Sequence, residues 1–145
     1  MTENEIATAV VDAAFKIHTT LGPGLLESVY EAVLDFELQR RGLQVARQIG
    51  LPVNYEGVKL ELGFRIDLII NNKLIIEVKS VESLAPVHKK QLLTYLRLTD
   101  LRLGLLINFN VERIKDGIQR VVNGLVYSEE FSRKGAKPQR RCKSS

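Results

Sequence analysis

Residues 58–79 read Val58-Lys59-Leu60-Glu61-Leu62-Gly63-Phe64-Arg65-Ile66-Asp67-Leu68-Ile69-Ile70-Asn71-Asn72-Lys73-Leu74-Ile75-Ile76-Glu77-Val78-Lys79. Apolar residues hold every even position from Val58 to Ile70, and Lys59, Glu61, Gly63, Arg65 and Asp67 hold the odd ones through 67. A period of two is that of a strand with one face on a core. Asn71-Asn72 then turns the chain into a further strand, Lys73–Lys79. A two-residue loop would put Glu77 and Lys79 on the face of Phe64 and Ile66, leaving charges in a core, which is costly. A three-residue loop over 70–72 avoids this by collecting all the even apolar residues on one face. Asp67, Ile75, Glu77 and Lys79 then share the other face, with Asp67 opposite Ile75 and diagonal to Glu77, about 7–8 Å away at the backbone. Two converging carboxylates can share a hard cation such as Mg²⁺. Lys79 on the same face is placed to hold a water or a phosphate oxygen. An ordinary solvated strand face with a Glu/Lys pair has the same spacing. The run 74–79 is apolar apart from its two charged positions, however, and charges set in such a run favour a functional role.

Upstream, Thr2 and Glu5 fit a capping box, and Ile6, Val10, Ala13, Ile17 and Leu21 recur at helical spacing until Gly22-Pro23-Gly24. A second helix is expected from about Leu25 to Arg41, with Leu26, Val29, Val33 and Phe36 as its apolar face and Gly42 as its stop. Leu43–Tyr55 alternates as a strand with a kink or bulge at Gly50 and Pro52. Downstream, Pro86 opens a third helix running to about Leu98. Leu103–Phe109 is continuous enough for a central strand, and Val111–Val122 reads as a small hairpin turning at Asp116-Gly117. The order α-α-β-β-β-α-β plus a small C-terminal hairpin predicts an α/β fold, a central mixed sheet flanked by helices.

The chain has 145 residues, 45% apolar and 26% charged, which suits one folded domain. We expect that domain over 1–127 and a basic, disordered tail over 128–145. The net charge of +4 is unevenly spread, because Ser132–Ser145 carries six basic residues and no acid. The remainder, 1–131, has fifteen basic against seventeen acidic residues and is mildly acidic. A single cysteine, Cys142, excludes an internal disulfide and a multi-cysteine zinc site. The start MTENEIATAV lacks the pattern of a signal peptide. The apolar runs are too short to span a bilayer, so no membrane partner and a cytoplasmic setting are expected.

Three motifs then stand in order. Asp67, nine further residues and Glu77-Val78-Lys79 resemble the D…ExK signature of the PD-(D/E)XK nuclease superfamily, whose core is restriction-endonuclease-like. Gly24-Leu25-Leu26-Glu27-Ser28-Val29-Tyr30 is similar to the motif of the superfamily's GxxExxY family. Gln91-Leu92-Leu93-Thr94-Tyr95 is similar to the QxxxY helix motif of its exonuclease-like branch. The resemblance covers roughly Ile6 to Leu125. It implies a nuclease that hydrolyses phosphodiester bonds of nucleic acid, with DNA favoured over RNA, using Mg²⁺ or Mn²⁺ in its place. The implied ligands are Asp67, Glu77 and the Val78 backbone carbonyl, with Glu27 as a further carboxylate or orienting group. Lys79 would orient or deprotonate the attacking water, and Gln91, supported by Tyr95, would position Lys79 or a phosphate.

Each of these residues also has a plainer reading. Glu27 would sit well against a helix dipole, and Tyr30 could either pack in the core with its hydroxyl satisfied or hydrogen-bond within the site as a supporting residue. Gln91 and Tyr95 could form a polar stripe with His88, which is either a supporting or substrate-binding residue of the site or a plain surface histidine. Arg65 could touch substrate phosphate or form a strand salt bridge. A non-catalytic nucleic-acid-binding module, or a protein-interaction module, on the same fold is the alternative. A homodimer would suit cleavage of two strands.

Overall fold

The computed structural model of the chain describes residues 1–124. The basic tail expected over 128–145, and the last residues of the expected domain, lie outside them. A five-stranded mixed sheet runs in the order β1 (Val45–Tyr55), β2 (Val58–Ile70), β3 (Leu74–Lys79), β4 (Leu103–Asn108) and β5 (Ile118–Val122). Among the described strands only the β3–β4 pair is parallel. Helices α1 (Glu3–Leu21) and α2 (Glu27–Arg40) cover one face, and α3 (Pro86–Thr99), the crossover from β3 to β4, covers the other. This is the architecture expected of a PD-(D/E)XK-like core, with one layer of helices on each side of the sheet.

Local chemistry sets most of these elements. The capping box forms at α1, where Thr2 N donates to Glu5 Oε1 at 2.8 Å and Glu5 N to Thr2 Oγ1 at 3.1 Å. Asn71 and Asn72 adopt left-handed φ values of 51° and 55°, which asparagine tolerates better than most residues. Lys73 N donates to Ile70 O at 2.9 Å, closing the turn. Strands β3 and β4 are almost wholly buried, as a central parallel pair must be. Helix α3 docks closely on β4 because Gly104 has no side chain; a Cβ there would meet Leu92 at 2.9 Å.

Four expectations are corrected. The loop between β2 and β3 is Asn71–Lys73, one residue later than 70–72, so Ile69 faces Ile75 and Ile70 faces Leu74. Parity is preserved, and Leu68, Ile70, Leu74, Ile76 and Val78 all enter the core under α1 and α2. The even residues of β2 do not form one face, however. Gln48 takes a left-handed φ of 55°, and Gln48 and Asp67 drop out of the β1–β2 ladder between Arg47↔Leu68 and Ile49↔Ile66. Both strands change sides there. Val45, Leu68 and Ile70 pack under α1 and α2, whereas Ile49, Leu51, Phe64 and Ile66 pack under α3. Towards the hairpin tip, Tyr55, Val58 and Leu60 are exposed.

The third correction concerns α2. Leu26 and Phe36 point to solvent, 73% and 61% exposed, and Val29 is exposed as well. The core takes Tyr30, Leu34 and Leu38 instead, the stripe that meets the sheet and Phe109. Two acids are buried beside this stripe because each has partners. Glu31 accepts from Arg47 and Gln48, and Glu37 from Lys16 and Arg41. Finally, no hairpin forms over 111–122. A 3₁₀ turn at Ile114–Gly117 leads into β5, which pairs with β4 at the edge of the sheet among the described residues. Gly117 does mark the turn, since a Cβ there would collide with the Asn108 carbonyl.

Candidate active site

The β2–β3 ladder runs from Ile70↔Leu74 to Leu68↔Ile76 and then stops. Beyond it, side chains replace the ladder. Asp67 N donates to Glu77 Oε2 at 2.9 Å, and Val78 N donates to Asp67 Oδ2 at 2.9 Å. Each acid therefore holds the backbone of the opposite strand, and the observed register sets Asp67 across from Glu77 rather than diagonal to it. Glu77 is 4% exposed. Among the described residues neither acid has a cation within salt-bridge distance. Burial, then the neighbouring Asp67 charge, pushes Glu77 up to about 8, against the opposing pull of the Asp67 N–H and of Lys79. Asp67 is raised as well, chiefly by burial, with Glu31 and Glu27 adding to the rise and the Val78 N–H and Lys79 opposing it.

Other residues frame this pair. Lys79, half-buried, ends β3, and its carbonyl accepts from Phe109 N at 2.9 Å. Ser80 follows and ties β3 to the start of α2: its N–H donates to Glu27 Oε2 at 3.3 Å and its hydroxyl to Leu25 O at 2.6 Å. Glu27 is exposed, close enough for its charge to act on Asp67. Tyr30 is fully buried, with its ring stacked on Phe109 at 4.5 Å and its hydroxyl bridging Gly22 O at 2.5 Å and Leu25 N at 3.2 Å. Its contacts are those of a core residue that locks the Gly22-Pro23-Gly24 bend.

From the other face of the sheet, Tyr95 packs edge-on against Phe64 with ring centroids 5.5 Å apart. Burial, then the charges of Glu77 and Asp67, pushes its hydroxyl up to about 12, with the Arg65 N–H pulling the other way. Tyr95 thus borders the carboxylates. Gln91, one turn earlier on α3, is half-buried and makes no side-chain hydrogen bond among the described residues. His88 is a capping residue instead, its Nδ1 accepting from Ala85 N at 3.1 Å. Arg65 is exposed and forms no strand salt bridge among the described residues; its Nη1 donates to Gln48 O at 3.1 Å, across the kink.

Three participants escaped the sequence reading. Glu31, buried, accepts from Arg47 Nε at 2.7 Å and Gln48 Nε2 at 2.9 Å, and its charge raises both Asp67 and Glu77. Gln48 also reaches Asp67 Oδ1 at 3.4 Å. Ser80 is the third. For Glu31 a signal was available, since it lies four residues after Glu27 on one side of a helix.

Asp67 and Glu77, with the Val78 carbonyl, are the groups here that could hold a divalent cation. The donor set fits one: Glu77 is a buried carboxylate that lacks a cationic partner among the described residues. Among those residues no three acid, histidine or cysteine side chains form a metal cage. A hard cation here would draw its remaining ligands from water and phosphate oxygens, as Mg²⁺ commonly does. A family model described as the PD-(D/E)XK nuclease superfamily matches residues 4–121, most of the chain. The chain belongs to the PD-(D/E)XK nuclease superfamily. No curated protein and no solved structure matched it. In this PD-(D/E)XK protein the D…ExK spacing falls on Asp67, Glu77 and Lys79, where β2 and β3 part. None of its described helices is long and apolar enough to cross a membrane.

Proposed function

We propose that this protein is a metal-dependent nuclease of the GxxExxY family that hydrolyses phosphodiester bonds of nucleic acid, DNA in preference to RNA. The observation that carries the reading is the Asp67–Glu77 pair: two acids with raised pKa, one of them buried, brought together with no cation within salt-bridge distance among the described residues. Such a pair is unfavourable by itself and becomes favourable around a bound cation. Asp67, Glu77 and the Val78 carbonyl would hold Mg²⁺, or Mn²⁺ in its place. When bound, the ion supplies Lewis-acid polarisation of the phosphoryl oxygen and a lowered pKa for water.

The chain's own groups do the rest. Lys79 orients or deprotonates the attacking water, or neutralises charge developing on the phosphoryl group. Gln91 has no side-chain hydrogen bond among the described residues and positions Lys79 or a phosphate. Tyr95 supports Gln91 and closes the carboxylates off from the α3 side. Glu27, held by Ser80 N–H, adds negative charge beside Asp67 and orients the site's edge.

The test is cleavage of labelled single- and double-stranded DNA and RNA with Mg²⁺, Mn²⁺ or EDTA. Wild type should cut only with metal, and Asp67→Ala and Lys79→Ala should each abolish cleavage without unfolding the chain. Retained cleavage in both variants would overturn the assignment.

A further inference from the structure

Leu26 breaks a local rule. It is the N-cap of α2, a position that favours Ser, Thr, Asp or Asn, and it makes no side-chain cap. It is also 73% exposed, so little burial against the described residues offsets the missing cap. Leu25 and Val29, each 38% exposed, stand beside it. This apolar lip is fastened to the candidate site rather than placed at random on the surface. The Ser80 hydroxyl holds Leu25 O at 2.6 Å, its N–H holds Glu27, and Ser80 directly follows Lys79. Glu27, the next residue after Leu26, lies close enough for its charge to act on Asp67.

Carboxylates and a lysine handle a phosphate; leucine and valine have nothing to offer it. The part of a nucleotide that suits an apolar lip is the face of its base, and inside a duplex that face is covered by stacking. Leucine is among the apolar side chains that proteins wedge between base steps, and the unstacking this costs is least where the base is already unpaired. We propose that Leu26, with Leu25 and Val29, is a specificity-determining lip that packs against an unpaired nucleobase next to the scissile phosphate, so that the substrate is single-stranded or frayed at the cut. The inference rests on the nuclease reading above and names its substrate class.

The test uses the full chain with Asp67→Asn, whose side-chain oxygen can still accept from Val78 N–H. Binding is read with single-stranded and duplex DNA of one sequence carrying 2-aminopurine, in Mg²⁺. Leu26→Ser should weaken single-strand binding about five- to tenfold, the effect of losing part of a leucine's apolar burial, and leave duplex binding unchanged. It should also raise the melting temperature by about 2–4 °C, because serine supplies the missing cap. A purely structural Leu26 would move stability the other way. Leu26→Phe should keep or tighten single-strand binding and deepen the 2-aminopurine signal. Unchanged single-strand binding in Leu26→Ser, or an equal loss on both substrates, would overturn the lip. Absence of any nucleic-acid binding by the Asp67→Asn chain would instead remove the nuclease reading, and the lip with it.

Discussion

The metal-free protein should lose stability as pH rises through neutrality, and Glu77 should be the main cause. Its carboxyl titrates near 8 in the fold against 4.5 for the free group, so between those values the unfolded chain has released a proton that the folded chain retains. Stability from this group is therefore fully present below about 4.5 and is lost as pH rises towards 8. The limiting slope is about 1.4 kcal/mol per pH unit. For one group with these two pKa values, the loss between pH 5.5 and 7.5 is about 2.5 kcal/mol. The rise at Asp67 acts in the same direction. Acids with lowered values, such as Glu5 and Glu37, exert their effect below this window. With a urea dependence of about 1–3 kcal/mol per molar, the unfolding midpoint in EDTA should fall by about 1–2 M across the window. Glu77→Gln keeps an oxygen for Asp67 N–H and cannot ionise, so its midpoint should fall much less, by the share that Asp67 contributes. Adding Mg²⁺ at pH 7.5 should restore wild-type stability and leave Glu77→Gln where it was. A flat or rising wild-type profile, or an unchanged slope in Glu77→Gln, would refute the argument.

Other consequences can be measured separately. Tyr30→Phe removes a hydroxyl that serves both Gly22 O and Leu25 N, and should cost about 1–3 kcal/mol in chemical denaturation, because both backbone groups lose a partner. Ser80→Ala should destabilise the chain by only about 1 kcal/mol and lower kcat more than it raises KM, since it loosens the start of α2 from β3; single-turnover rates would check this. Deleting 132–145 should weaken nucleic-acid binding more than it slows cleavage. Its six basic residues contribute through counterion release, so the logarithmic salt slope should drop by up to about 5.

Much of the fold was legible because the decisive signals are local. Thr2 and Glu5 satisfy each other's backbone, Pro86 suits the first position of a helix, and the nearly continuous apolar run of β4 fits the middle of a sheet. Parity across the β2–β3 turn was also readable, since charges at Glu77 and Lys79 forbid the alternative. The exact loop was not, because 70–72 and 71–73 place the same residues on the same faces and differ only in which residue meets Asp67. The change of sides at Gln48 and Asp67 left no trace in the alternation, which runs through Asp67 without a break and depends on a left-handed glutamine. Helix α2 misled for another reason: it has two apolar stripes, and only the shape of the sheet and Phe109 choose between them. Glu31 carried only the weak signal of its spacing from Glu27, because a buried acid on a helix looks like any surface glutamate until Arg47 and Gln48 reach it from β1.

The paired kink at Gln48 and Asp67 also bears on how the protein comes apart. The β1–β2 hairpin lends one half to each core, and Asp67 stands at the crossing. Melting either core would pull the hairpin from one side and separate Asp67 from Glu77 and Val78. No half-folded form can keep the carboxylates in place, so integrity of the site reports on the whole domain. The amides of Asp67 and Val78, both bonded to carboxylates rather than to a strand partner, should then exchange with solvent only as fast as the most protected amides of β3 and β4.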